Sequence, residues 1–369
     1  MIDFSVAIRT YNRAEGLPRL FAALRSQKNT QPFRWEIVIV DNNSTDDTAQ
    51  LIEQLAPTMP VPVRYQMERR QGASFARQAA ILEAQGPLIG FLDDDNIPAD
   101  DWVSRAYAFG QAHPKAAAFG SQIHGSFEVA PPPNFERIAG FFPVVERSHD
   151  VCFTAGKRRL SNHVPPGAGL VIRKWAWLEH VPFDLKLKGP IGNTLHKKGE
   201  DTEALLHLKK AGWEIWFHAQ LHIVHLIGQE RLTPAYLKRF FQGIGYSRYT
   251  IRMITCQPAL RLPMTLLHML NDCRKLLGHC LTHLGQRSLV AYCEYTLLRS
   301  SLVSPLVTLK ERLLSRSKTQ PAAERQKAER QKAERQKAEH HKAERYKTVK
   351  QGIKTSKTGE PAKSLTPLS

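Results

Sequence analysis

Leu88-Ile89-Gly90-Phe91-Leu92-Asp93-Asp94-Asp95-Asn96 runs from an apolar stretch straight into three adjacent carboxylates. A short apolar run bounded by polar residues reads as a buried strand. The residues upstream repeat the pattern, with strands expected over 4–9, 35–40, 63–67 and 88–92 and helices over 15–26, 46–55 and 74–84. Strands alternating with helices predict crossover units and a mainly parallel central sheet, an α/β fold. Ligands bind such a sheet beyond the carboxyl ends of its strands, so the polar residues that follow each strand are the first candidates for function.

Three carboxylates in a row repel one another. A hard cation that bridges them to a diphosphate removes that repulsion and neutralises a leaving group. The bland alternative is a turn or helix cap, the role that Asp100-Asp101 can play before Trp102. After the second strand comes Asp41-Asn42-Asn43-Ser44-Thr45-Asp46-Asp47-Thr48. Asp41 is placed to accept from a ribose or a base, whereas Ser44 to Asp47 read as capping residues. Arg69-Arg70-Gln71-Gly72-Ala73-Ser74-Phe75-Ala76-Arg77 is a basic loop leading into a helix, which suits phosphate as well as plain solvation. Lys198-Gly199-Glu200-Asp201-Thr202-Glu203 opens a helix expected over 202–211. Its acids either stabilise that first turn or include a base for an acceptor hydroxyl. His218, His222 and His225 lie on an alternating, strand-like stretch, where one of them joining the aspartates as a metal ligand competes with ordinary packing.

The chain has 369 residues and a formal net charge of +18. Residues 317–369 hold fourteen Lys or Arg against six Glu, so the tail carries +8 of that charge. The remainder still favours anionic partners: nucleotide phosphates, lipid headgroups or nucleic acid. Nucleic acid is the weaker expectation, because the basic residues are not interleaved with aromatics in a known motif. Five scattered cysteines without a CxxC pair argue for a reducing cytosol, and neither a secretory signal nor an apolar stretch of spanning length is read. From 234 to 314 the sequence is helical and amphipathic, fitting either a subdomain packed on the rest or a surface lying on an anionic membrane. The tail repeats AERQK from Ala323. A five-residue period carries no fixed apolar stripe, so it is expected to be a solvated helix or disordered.

Taken together, AIRTYNR, EIVIVDNNSTDDT, RRQGASFARQAA, GFLDDDNIP, PPGAGLVIRK and GEDTE resemble, in order and spacing, family 2 glycosyltransferases of the GT-A fold. The resemblance covers roughly 3–230, and the later parts look most like cyanobacterial enzymes of hormogonium polysaccharide biosynthesis. It implies a catalytic domain over 1–230; the amphipathic helical region read above then spans 231–316 and the basic tail 317–369. It also implies transfer of a sugar, with inversion, from a UDP-sugar or similar donor to a glycan or lipid-linked acceptor. Thr10, Tyr11, Arg13 and Asp41 would line the nucleotide pocket, with Arg77 on the diphosphate and Asp94 near ribose or sugar. Asp93, Asp95 and His225 would hold Mn2+ or Mg2+, Asp93 also touching the donor. Asp201 is the expected catalytic base and Glu200 the second choice. Arg70 and Gln78 stand where many relatives carry asparagines. QxxRW is absent, which favours addition of one sugar over polymerisation. The expected location is cytoplasmic, peripheral at the inner face of the plasma membrane. The competing reading is a non-catalytic binder of nucleotide sugars or polyanions.

Overall fold

The computed structural model describes residues 1–156, 161–189, 197–283 and 288–315, together with 331 and 336. The expected repeat-bearing tail, 317–369, otherwise lies outside the described residues. Residues Met1–Thr319 form one compact unit.

β1 (Phe4–Thr10), α1 (Leu17–Arg25), β2 (Trp35–Asp41), α2 (Thr48–Leu55), β3 (Val63–Met67), α3 (Ala73–Glu83) and β4 (Leu88–Asp93) alternate along the chain. β1 lies between β2 and β4 and runs parallel to both, and β3 continues the parallel sheet beyond β2. β1, β2 and β4 are buried along nearly their whole length, which accounts for their near-continuous apolar sequence. α1 begins at Leu17, two residues later than expected, with Pro18 in its first turn. A proline lacks the N–H that an interior position needs but is tolerated at a helix start. The chain lays down β1, β2 and β3 toward one edge and then returns to place β4 on the other side of β1. The carboxyl ends of β1 and β4 therefore flank the point where strand order reverses, the place where such sheets bind ligands.

The second half is β5 (Asn96–Pro98), α4 (Trp102–Ala112), β6 (Ala116–Phe127), α5 (Glu136–Ala139), β7 (Val151–Cys152), β8 (Val171–Arg173), α6 (Lys174–His180), α7 (Glu200–Lys210) and β9 (Glu214–Ile227). The complete sheet has the order β3-β2-β1-β4-β8-β6-β9-β5, with β7 also on β9. β8 is antiparallel to both β4 and β6, β9 is parallel to β6, and β5 and β7 run antiparallel to β9. The parallel first half thus continues into a mixed second half. Gly90 sits within β4 because a Cβ there would lie 2.5 Å from the buried Trp102 ring.

Three helices follow: α8 (Pro234–Ile254), α9 (Arg261–Thr282) and α10 (Leu289–Ser315). The Thr233 hydroxyl accepts from the Tyr236 N–H and Pro234 takes the first turn, a capped start. Phe240 and Phe241 of α8 cluster with Phe135 and Phe142 and with Val290 and Leu297 of α10. The packed-subdomain reading therefore holds for α8 and α10; the only fully buried side chain of α9 is Asp272. Among the described residues no helix is long and apolar enough to cross a membrane.

Candidate active site

The acid triplet is held by its own neighbours. Asp93 closes β4 opposite Arg9 of β1, and Arg9 Nη2 donates to Asp93 Oδ1 at 2.5 Å. Asn96, fully buried, fixes the turn that follows: its Oδ1 accepts from the Asp93 N–H at 3.1 Å and its Nδ2 donates to Asp95 Oδ1 at 2.8 Å. Asn96 also starts β5, directly opposite His225 on β9. That pairing brings His225 Nε2 to 3.7 Å from Asp95 Oδ1, although the two residues are far apart in sequence. Thr10 Oγ1, at the end of β1, donates to Asp94 Oδ2 at 3.0 Å.

The triplet is electrically uneven. Burial, with the charges of Asp95 and Asp93, pushes the Asp94 carboxyl up to about 8. Burial acts on Asp95 too, but Arg231 and His225 outweigh it and hold that carboxyl well below the usual range. Arg231 Nη2 donates to Asp95 Oδ2 while its Nη1 donates to His225 Nε2 at 2.9 Å.

Cations face these acids from within the fold. Arg77 of α3 is buried with its guanidinium over the Phe91 ring at 4.5 Å; burial and the neighbouring Arg9 charge push it down to about 10. Among the described residues, Nε and Nη1 of both Arg9 and Arg77 are buried without a hydrogen-bond partner. Arg9 Nη1 lies 3.7 Å from Glu200 Oε1, too far to be satisfied by it. Lys198, its Nζ over the Phe240 ring at 4.3 Å, is pushed down to about 8 by burial. A buried, unpartnered charged donor is costly. Four such donor atoms on two adjacent guanidinium groups are best accounted for by an anionic ligand that completes them.

α7 begins at Glu200, two residues earlier than expected, after Gly199 at φ +100°. Its acids point different ways. Glu203 turns into the core and accepts from the Lys186 and Leu187 N–H groups at 3.1 and 2.7 Å, a structural role. Glu200 lies toward Arg9, and Asp201 Oδ1 accepts from the Thr202 N–H at 2.7 Å. A Cβ on Gly167 would lie 2.7 Å from both Arg77 Nη2 and Asp201 Oδ2, which puts the ends of those two side chains against the same stretch of backbone. Arg77 and Asp201 therefore face one spot.

Of the other expected residues, Asp41 is fully buried, Oδ1 accepting from the Ser44 N–H at 2.8 Å and Oδ2 from the Tyr65 hydroxyl at 3.0 Å. Tyr11 and Arg13 lie in the loop after β1, where Arg13 approaches Glu230 at 3.7 Å. That loop is laced to the one after β2, the Asn12 N–H donating to Ser44 Oγ at 2.9 Å and Asn12 Oδ1 accepting from the Thr45 N–H at 2.8 Å. His218 is held by Asp150 and His222 by His124, so of the three histidines His225 is the one beside the triplet. Sequence reading missed Arg9, Lys198 and Arg231. Arg9 has the local signal of a charged residue inside an apolar strand; Arg231 and Lys198 have none.

Asp93, Asp95 and His225 are not drawn into one tight ligand set, because Asp93 turns to Arg9. The donor set still fits a divalent ion: carboxylates and one imidazole suit Mn2+ or Mg2+. His225 Nδ1 is buried without a partner, and Arg231 already supplies positive charge between Asp95 and His225.

The chain is similar to the succinoglycan biosynthesis protein ExoM of Rhizobium meliloti, 26% identical over 249 residues that cover 67% of this chain and 75% of ExoM. It is 31% identical to the glycosyltransferase AglE of Haloferax volcanii over 101 residues, only 27% of this chain and 33% of AglE. Among solved structures it resembles the mannosyltransferase PcManGT from Pyrobaculum calidifontis in complex with GDP-Man and Mn2+, with a TM-score of 0.51, 16% identity and 83% and 86% of the two chains covered. That likeness shows the fold, a GT-A sheet with its helices. Residues 5–168 match the model of Glycosyl transferase family 2, a stretch that includes β1, β2 and β4 with their strand ends.

Proposed function

We propose that the chain is an inverting glycosyltransferase that moves a sugar from a nucleoside-diphosphate sugar, a UDP-sugar by expectation, to a glycan or lipid-linked acceptor in cell-surface polysaccharide biosynthesis. The observation that carries this reading is the pair of buried arginines, Arg9 and Arg77, which keep unpartnered donors among Asp93, Glu200 and Asp201 at the strand-order reversal. A diphosphate supplies the acceptor oxygens they lack and a reason for carboxylates alongside. The succinoglycan role of ExoM supports the polysaccharide setting. The finer assignment, to enzymes like those of hormogonium polysaccharide biosynthesis in cyanobacteria, is part of the proposal, as is work at the cytoplasmic face of the membrane.

In this reading Thr10, Tyr11, Arg13 and Asp41 form the nucleotide side of the pocket, Asp41 by holding the Ser44 turn and Tyr65. Asp94, kept protonated by its neighbours, is suited to donate to a ribose or sugar oxygen. Asp93, Asp95 and His225 would hold Mn2+ or Mg2+, which when bound neutralises the donor diphosphate. Arg9, Arg77 and Lys198 bind that diphosphate and receive the charge that develops on it. Asp201 takes the proton from the acceptor hydroxyl as its oxygen forms a bond to the anomeric carbon. The bond from that carbon to the diphosphate oxygen breaks on the opposite face, and its electron pair leaves with the nucleoside diphosphate. Glu200, tied toward Arg9, is the second choice for the base.

General base catalysis is worth about 10²–10⁴-fold. Asp201→Asn is expected to lower transfer turnover by about that factor while donor affinity, read by calorimetry, stays within about twofold. Unchanged turnover would remove Asp201 from the role.

A further inference from the structure

α9 turns a row of hydrocarbon to solvent. Leu262, Leu266, Leu270, Leu277 and Leu281 are all more than half exposed, from 56% at Leu266 to 75% at Leu281. At about 100° per residue the five fall within an arc of about 100°. Single exposed leucines are ordinary, but a row along a helix of 22 residues marks an interaction surface.

The opposite side of α9 is pinned. Asp272 is fully buried and accepts from Arg252 Nη1 at 2.6 Å and Nη2 at 2.9 Å, and from Ser301 Oγ at 2.8 Å. One carboxylate thus ties α9 to α8 and α10 and fixes which face looks outward. Asp272 is also the sole acidic residue of α9, so the outward face carries no negative charge at all. Arg274 lies beside the row, and Arg261 and Lys275 are exposed further round the helix, in a chain of net charge +18. A row of leucines with a cation beside it and no carboxylate matches the interface of an anionic bilayer: acyl chains for the row, headgroup phosphates for the cation. The helix is too polar to cross the bilayer, which leaves it lying along the surface.

We propose that α9 is a membrane-docking helix, seated leucine row downward in an anionic lipid surface. Its purpose, holding the transferase beside a lipid-linked acceptor, rests on the proposed function, but the docking itself does not.

The test is flotation of the full chain with phosphatidylcholine vesicles, with and without phosphatidylglycerol, at low and high salt and without donor or acceptor. The variant is Leu266→Gln/Leu270→Gln/Leu277→Gln, which leaves every charge in place, including those of the AERQK repeats. All three leucines are exposed, so the thermal melt should match the native chain. The native chain is expected to float with the phosphatidylglycerol vesicles, and the variant to partition at least about tenfold less. Three results would overturn the proposal: a native chain that stays in solution, a variant that floats as well as the native chain, or a native dimer that the variant converts to a monomer without vesicle binding. None of these bears on donor chemistry, which is read separately.

Discussion

Lys198 is a cation whose proton is weakly held because burial among protein groups disfavours its charge, to about 8. The sign of its effect on ligand binding follows. Below pH 8 it is charged in the free protein and available to a diphosphate; above pH 8 the free protein has lost that proton and must regain it on binding. Affinity for a nucleoside diphosphate in Mg2+ should therefore fall as pH rises above 8, by up to about tenfold per unit. Titration calorimetry checks this, and in Lys198→Met the slope should become shallower by the Lys198 share, with the Asp94 share remaining. The same residue shows the limit of what could be read locally. Asp93, Asp94, Asp95 and Arg77 were candidates from the sequence because the acid triplet and the basic loop each follow a strand, where such sheets bind ligands. Lys198 and Arg231 acquire their neighbours only when α7 and β9 fold back to the ends of β1 and β4. Asp201 and Glu203 looked alike in sequence, and it is the direction of each side chain in the first turn of α7 that separates them.

At the scale of elements, the strands and helices of the first hundred residues were legible to within about two residues because each is long enough to show its period. β5 and β8, three residues each, were not, since no periodicity resolves so short a strand. Yet β5 is what brings Asp95 to His225, through the pairing of Asn96 with His225. In the helical region the joint is the Asp272 carboxylate. Burial raises its pKa, but the hydrogen bonds from Arg252 and Ser301 and the Arg252 charge outweigh burial and hold it below the ordinary value. Such a group stabilises the fold above its unfolded pKa, ~3.9, and the contribution is lost as pH falls below that toward the folded value. Asp272→Asn is expected to cost about 1–3 kcal/mol at neutral pH. In chemical denaturation the gap between variant and native chain should narrow below about pH 4; a gap that persists in acid would mean the ion pair is not the joint.

The whole molecule brings two kinds of charge to one place. The strand-order reversal between β1 and β4 sets the acid triplet beside Arg9, and α3 and α7 bring Arg77 and Asp201 against the same loop at Gly167. The α/β fold was legible from the alternation of strands and helices. The mixed second half of the sheet was not, because its strand partners lie far apart in sequence: β6 with β9, β4 with β8. Net charge gave the sign of the partners, anions, without saying where they bind. The central claim is that this site takes a nucleoside-diphosphate sugar with a divalent ion. Its most direct test is hydrolysis of a panel of nucleotide sugars with Mn2+, Mg2+ or EDTA, comparing the native chain with Asp95→Ala. The account predicts metal-dependent release of nucleoside diphosphate from one donor, abolished by EDTA and by the substitution. Release that persists in both, or a chain that neither hydrolyses nor binds any donor of the panel by calorimetry, would contradict it.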